Sequence, residues 1–163
     1  MKKIMIVLLS LALATVAARG NDADGTNKTK ENPMNNKPST MVSVRYMIDD
    51  VDAAIKFYTT YLGFTLESYP APPLATVTRG NLRLLLSGPE SSGRRPLKDG
   101  TKPVPGGWNR IELQVADIQA EEARLRAAGV KFRRDDIVTG PGGSQIWIID
   151  PSGNLVELFQ PGT

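Results

Sequence analysis

The sequence predicts an α+β domain of two βαβββ modules whose strands form a curled mixed sheet around a cleft. Three observations predict it. Alternating apolar and polar residues at 42–48 lead into a capped amphipathic stretch and then three more short alternating segments. The same succession recurs between 109 and 159. The two copies also keep one offset: Asp50 and Asp117 lie 67 residues apart, and that shift carries Val44 to Ile111, Tyr46 to Leu113, Ile48 to Val115 and Ala53 to Ala120.

Taken in order, VSVRYMI (42–48) reads as a strand with Val44, Tyr46 and Ile48 on one face and Ser43, Arg45 and Met47 on the other. Asp50 is placed to cap the following helix, because its carboxylate can accept from the orphan amides of the first turn. VDAAIKFYTTYLG then sets Val51, Ala54, Ile55, Tyr58, Tyr61 and Leu62 along one stripe and stops at Gly63. FTLESY (64–69), LATVTR (74–79) and LRLLLS (82–87) are strands, the last two joined by a tight Gly80-Asn81 turn. Module 1 thus spans 42–88.

Residues 88–106, GPESSGRRPLKDGTKPVPG, show no periodicity and form a long connection, a length common in binding lids and disordered segments. Arg94 and Arg95 within it are expected to be solvated. Module 2 spans 107–160. Trp108, behind Gly106-Gly107, is expected to plug one end of the barrel. NRIELQV (109–115) is a strand, Asp117 a cap, IQAEEARLRAAG (118–129) a helix, and VKFR (130–133), SQIWII (144–149) and NLVELF (154–159) are strands, with Asp150-Pro151-Ser152-Gly153 as the final hairpin turn.

The repeat divides each module into a greasy side, which covers the helix, and a polar side. On the polar side the offset carries Ser43 to Arg110, Arg45 to Glu112 and Met47 to Gln114. Two such sheets would enclose a cleft lined by these residues.

Outside the domain at 41–163, the N-terminus reads as a secretory signal peptide over 1–18. Lys2 and Lys3 precede the apolar run IMIVLLSLALATVA, and Val16 and Ala18 suit the −3 and −1 positions of a cut. The run is shorter than the roughly 20 residues a spanning helix needs, so no stable membrane anchor is expected after processing. Export to the periplasm or beyond is the expectation, and the absence of cysteine is compatible with an oxidising compartment. Residues 19–40 are polar and rich in Asn, Lys, Gly and Pro, the composition of a flexible linker. The formal charge of +3 falls to +1 without Lys2 and Lys3, and 41–163 holds fourteen basic and fourteen acidic residues. The domain is neutral with no basic face, which excludes nucleic acid as the expected partner.

Two βαβββ modules, the phrase DDVDAAIKFYTTYLGF (49–64) and the phrase DPSGNLVELFQ (150–160) together resemble the vicinal oxygen chelate superfamily over residues 42–160. That group includes glyoxalase I, bleomycin-resistance proteins, fosfomycin-resistance transferases and extradiol dioxygenases. The scaffold hosts isomerases, dioxygenases and pure binders, so the resemblance implies a fold rather than one activity. It also implies that pairing into homodimers is common, a point the sequence leaves open. In metal-dependent members the first strand of each module and a Glu on the last strand hold a divalent ion. The matching positions here are Ser43, Arg110 and Glu157. A guanidinium has no lone pair for a metal, and this chain has neither His nor Cys. No metal and no other cofactor is therefore expected.

Arg110 facing Glu157, and Arg45 facing Glu112, would satisfy one another as ion pairs, which is the purely structural reading of this face. The functional reading has Arg110 or Arg45 clamp an anionic group, Glu157 or Glu112 hold an amine, Gln114 and Gln145 give amide contacts, and Trp147 stack on an aromatic ligand. The favoured expectation is a metal-independent small-molecule binding protein of the bleomycin-resistance kind. The alternative is a glyoxalase-like lyase or isomerase, or a dioxygenase-related enzyme, with an atypical metal site or with Glu157 as a catalytic general base.

Overall fold

The structure, a computed structural model, describes residues 40–162. The signal peptide read at 1–18, and the linker read at 19–40 apart from Thr40, lie outside the described residues. The first module runs β1 (Val42–Met47), α1 (Val51–Tyr61), β2 (Thr65–Ala71), β3 (Leu74–Arg79) and β4 (Leu82–Ser87). The second runs β5 (Arg110–Gln114), α2 (Ile118–Ala127), β6 (Lys131–Phe132), β7 (Val138–Gly140), β8 (Gly143–Ile149) and β9 (Leu155–Pro161). Among the described residues no helix is long and apolar enough to cross a membrane.

Both helices start where an aspartate can cap them. Asp50 accepts from the Ala53 amide and Asp117 from the Ala120 amide, each at 2.9 Å. Each cap satisfies one of the first-turn donors that the helix itself leaves unpaired.

The strands form two mixed sheets, ordered β1-β4-β3-β2 and β5-β9-β8-β6, with β7 adding to β8. In both, the first strand of the module pairs parallel with its last, and the remaining pairs are antiparallel. This is the α+β class with two βαβββ modules. β7 is an extra strand: its three residues, ahead of the turn into Gly143, are too few to show an alternation. β2 lies at a sheet edge and shifts register twice, which lets it carry Pro70 without breaking a ladder on both sides.

The greasy faces meet in one apolar cluster that draws on both modules, including Tyr46, Ile48, Leu84, Leu86, Ile111, Ile118, Ile146 and Ile148. α1 buries more than the predicted stripe. Phe57 is buried as well, while Ile55 and Tyr61 are only partly so. Phe57 meets Tyr58 and Tyr61 edge-on at 5.3 and 5.8 Å, so the buried arc of the helix is wider than the predicted stripe.

Polar bonds lock the modules together at one end of β1. The Tyr46 hydroxyl accepts from the Ile111 amide at 2.8 Å and donates to the Leu155 carbonyl at 2.9 Å. It thereby supplies a partner to an edge strand, β5. The Tyr58 hydroxyl donates to Asp150 at 3.0 Å, Asn154 Nδ2 donates to the Met47 carbonyl at 2.9 Å, and the Asp49 amide donates to the Ser152 hydroxyl at 2.9 Å. Burial pushes the Asp150 carboxyl up from its usual range, against the opposing pull of donors on Asn154, Ser152 and Tyr58.

Burial also pushes the Tyr46 phenol up to about 12 and the Tyr58 phenol well above its usual value, the latter with the Asp150 charge adding to the rise. A phenol whose pKa is raised by folding stabilises the fold fully below the usual value of 10.0, and that contribution is lost as pH climbs through the raised value. An ultraviolet titration should therefore show Tyr46 ionising only near pH 12 and Tyr58 only well above the usual phenol range, together with loss of the circular-dichroism signal. Reversible ionisation of Tyr46 and Tyr58 near pH 10 in an intact fold would contradict this interlock.

Candidate functional site

Register fixes which side chains share the outer face of the second sheet. Residues opposite each other across a ladder point to the same side. Glu112 lies opposite Glu157, and Glu157 opposite Trp147, giving one row across β5, β9 and β8. The next row is Gln114, Phe159 and Gln145, and the row before is Arg110, Leu155 and Ile149. Seven side chains of this face are therefore polar or aromatic, and six of them are candidates named from the sequence: Arg110, Glu112, Gln114, Gln145, Trp147 and Glu157.

Four of the six form a tight cluster. Arg110 Nε donates to the Glu157 carboxylate in an ion pair, with Glu157 buried and the Arg110 side chain 28% exposed. The guanidinium carbon lies 4.2 Å from the centre of the Trp147 ring. Gln145 joins through its amide oxygen, which accepts from the Trp147 indole at 3.0 Å. The cation is thus paired on one side with a carboxylate and on another with an aromatic ring, a geometry that fixes Arg110 and covers Glu157.

The other candidates stand apart from it. Glu112 and Gln114 are exposed on β5, and neither side chain has a polar partner among the described residues. Ser43 is exposed on β1 of the first sheet, beside Arg83 on β4, and Arg83 is engaged by Glu67 at 2.7 Å. The expected Arg45–Glu112 pair is not formed. Arg45 instead donates to the Ser87 hydroxyl at 2.6 Å, on the strand next to its own. A partner held by the adjacent strand orders less chain than one on the other sheet.

Two further expectations are corrected. Trp108 does not plug the barrel: it is 66% exposed and meets Trp147 edge-on with ring centres 6.5 Å apart. Arg94 is not solvated. Its side chain is 13% exposed, pairs with Asp49 at 2.9 Å, and donates to the carbonyls of Ile48 at 2.9 Å and Pro103 at 3.3 Å. It ties the 88–106 connection to the end of β1, and the Gly106 amide ties the other end to Asn154 at 2.9 Å.

The sequence reading missed two arginines beside the tryptophans. Arg134 lies 5.1 Å from the Trp147 ring and Arg133 lies 5.5 Å from the Trp108 ring. The only signal for them is the basic pair itself, which follows β6 where no periodic pattern marks a face. A groove of about 360 Å³ opens between Gly107, Trp108, Arg133, Ile149, Gly153 and Leu155. A larger groove of about 570 Å³ shares Ile149 and Gly153 with it and extends between α1 and the start of β6, with Phe57, Tyr61, Val130 and Lys131 among its walls.

The donor set does not suit a divalent ion. The three positions that correspond to metal ligands hold a hydroxyl, a guanidinium and a carboxylate, and the guanidinium sits against that carboxylate. Among the described residues no three His, Cys, Asp or Glu side chains come together as a metal site requires.

Comparison with known proteins bears on the fold and on its uses. The model of the Glyoxalase/Bleomycin resistance protein/Dioxygenase superfamily matches residues 40–158. The uncharacterized protein YwbC of Bacillus subtilis is 29% identical over 120 residues, 70% of this chain and 91% of that protein. Among solved structures, a lactoylglutathione lyase from Agrobacterium tumefaciens aligns with a TM-score of 0.60 at 24% identity, covering 76% of this chain and 95% of its own. TnmS3, an antibiotic binding protein from Streptomyces sp. CB03234, aligns with a TM-score of 0.58 at 26% identity, covering 75% and 95%.

Proposed function

The chain belongs to the Glyoxalase/Bleomycin resistance protein/Dioxygenase superfamily, and from that premise we propose that it is an exported, metal-independent small-molecule binding protein. The observation that carries this reading is Arg110. A fixed guanidinium, paired with Glu157 and packed on Trp147, occupies a position where a metal-dependent relative has a ligand. A cation there opposes a dication and favours an anionic or aromatic ligand. Likeness to a solved antibiotic binding protein supports binding as the activity. The charged, apolar and small-residue pattern of 1–18 supports export.

On this reading Arg110 and Trp147 present charge and ring surface to the ligand, and Glu112, Gln114 and Gln145 add polar contacts along the same face. Ser43 and Arg45 would contribute from the first sheet. Elemental analysis of protein purified without chelators should find far less than one Zn, Ni, Fe or Mn per chain. A thermal-shift screen should then find stabilising ligands among anionic and aromatic metabolites, with no added metal. One tightly held metal per chain would instead select the lyase or dioxygenase reading.

A further inference from the structure

Trp108 and Arg133 pose a problem that the ion pair at Arg110 does not answer. An indole two-thirds exposed leaves much apolar surface in water, a feature more typical of recognition surfaces than of inert ones. Three arginines lie against the two tryptophan rings. Arg110 has Glu157 and Arg134 has Asp136 at 3.5 Å, but Arg133 has no carboxylate partner among the described residues. Its backbone is nonetheless fixed, because its amide donates to the Trp147 carbonyl at 2.8 Å.

The groove between these two side chains is mixed in polarity, with Ile149 and Leu155 as the apolar part of its floor. Ile149 and Leu155 are direct partners across β8 and β9, and they form the row beside Trp147 and Glu157. No acidic residue lines the groove, and neither do any of the ligand-contact candidates named from the sequence. Its volume of about 360 Å³ is near the lower end of small-molecule sites, enough for one or two fused rings. A ring laid on the Ile149–Leu155 floor would meet the Trp108 indole, and an acidic substituent at its edge would meet the unpaired guanidinium.

The geometry points to this groove as a subsite for a planar aromatic anion, with Trp108 as the stacking surface and Arg133 as the anion contact. It rests on the binding-protein reading above and names the ligand class. Through the Trp108–Trp147 contact the subsite adjoins the Arg110 cluster.

Calorimetric titration of the purified protein with naphthalene-2-carboxylate tests the assignment. The carboxylate should bind one per chain. Naphthalene-2-carboxamide and cyclohexanecarboxylate should each bind at least about tenfold more weakly, one lacking the charge and the other the ring. Arg133→Ala and Trp108→Ala should each lose about tenfold in affinity, and Arg133→Lys should retain part of it. Both positions are exposed, and unchanged melting curves would show that the variants fold. Equal binding of carboxylate and carboxamide, wild-type affinity in both alanine variants, or no binding by the wild type at millimolar ligand would each overturn the subsite. Loss of carboxylate binding in Arg110→Ala alone would also overturn it while leaving the broader reading standing. One tightly held metal per chain would sink the broader reading instead.

Discussion

Asp150→Ala should lower the free energy of unfolding by about 4 kcal/mol, read as a large fall in the urea midpoint with little change in slope. The buried carboxylate gathers four donors: the amides of Ser152 and Asn154 at 2.9 and 2.8 Å, Asn154 Nδ2 at 2.9 Å and the Tyr58 hydroxyl at 3.0 Å. The Ser152 amide belongs to a turn and is only part-buried, so water can replace its lost acceptor, whereas the Asn154 amide is buried. The Tyr58 hydroxyl and the Asn154 side chain are buried, and each donor left without a partner costs about 1–3 kcal/mol. Asp150→Asn keeps one acceptor and nearly the same volume, so its loss should be about half as large. A loss below about 1 kcal/mol for the alanine variant would mean that the joint repairs itself with water.

Arg110→Ala should cost about 2–3 kcal/mol and should be partly rescued by Glu157→Gln in the same chain. Removing the guanidinium leaves a buried carboxylate uncompensated and strips Trp147 of its cation contact. A fully buried pair would lose more on truncation, about 3–5 kcal/mol, but the Arg110 side chain is 28% exposed and solvent screens part of its field. Glu157→Gln alone should cost about 1 kcal/mol, because a neutral amide can still accept from Arg110. The double variant should therefore be more stable than the sum of the single losses implies, with a coupling of about 1–2 kcal/mol in chemical denaturation. Coupling within error of zero would show that the two charges do not depend on each other for stability.

Much of the architecture was legible because it depends on local period and caps. Alternation placed β1, β3, β4 and β8 to within a residue or so, and Asp50 and Asp117 marked both helix starts. The repeat identified the greasy side of each module and, with the resemblance, brought Arg110 and Glu157 together. What the sequence did not carry was contact between distant side chains. The Tyr46 hydroxyl bonds to a carbonyl 109 residues away, and alternation can say only that Tyr46 faces inward. Phe57 fell just outside the helical stripe, and its burial beside the Tyr58 and Tyr61 rings depends on tertiary packing that has no local signature. Arg45 and Glu112 were matched by the repeat, yet Ser87 on the neighbouring strand supplied the nearer partner. In the same way DPSGN reads locally as a turn, while Asp150, Ser152 and Asn154 within it join the two halves of the domain.

The chain has two tryptophans, and they touch each other on one face of the second sheet. Every photon of indole emission therefore originates from the surface proposed to bind ligand, and none from α1, β2 or the first sheet. The protein carries a built-in optical reporter that is blind to half of its own fold. During unfolding, emission will follow the loosening of Arg110, Arg133 and Arg134 around the rings, while far-ultraviolet dichroism follows both modules together. Because a single apolar core joins the modules, the two signals should fall along one curve. An early change in emission alone would instead measure how readily this face opens before the rest of the domain comes apart.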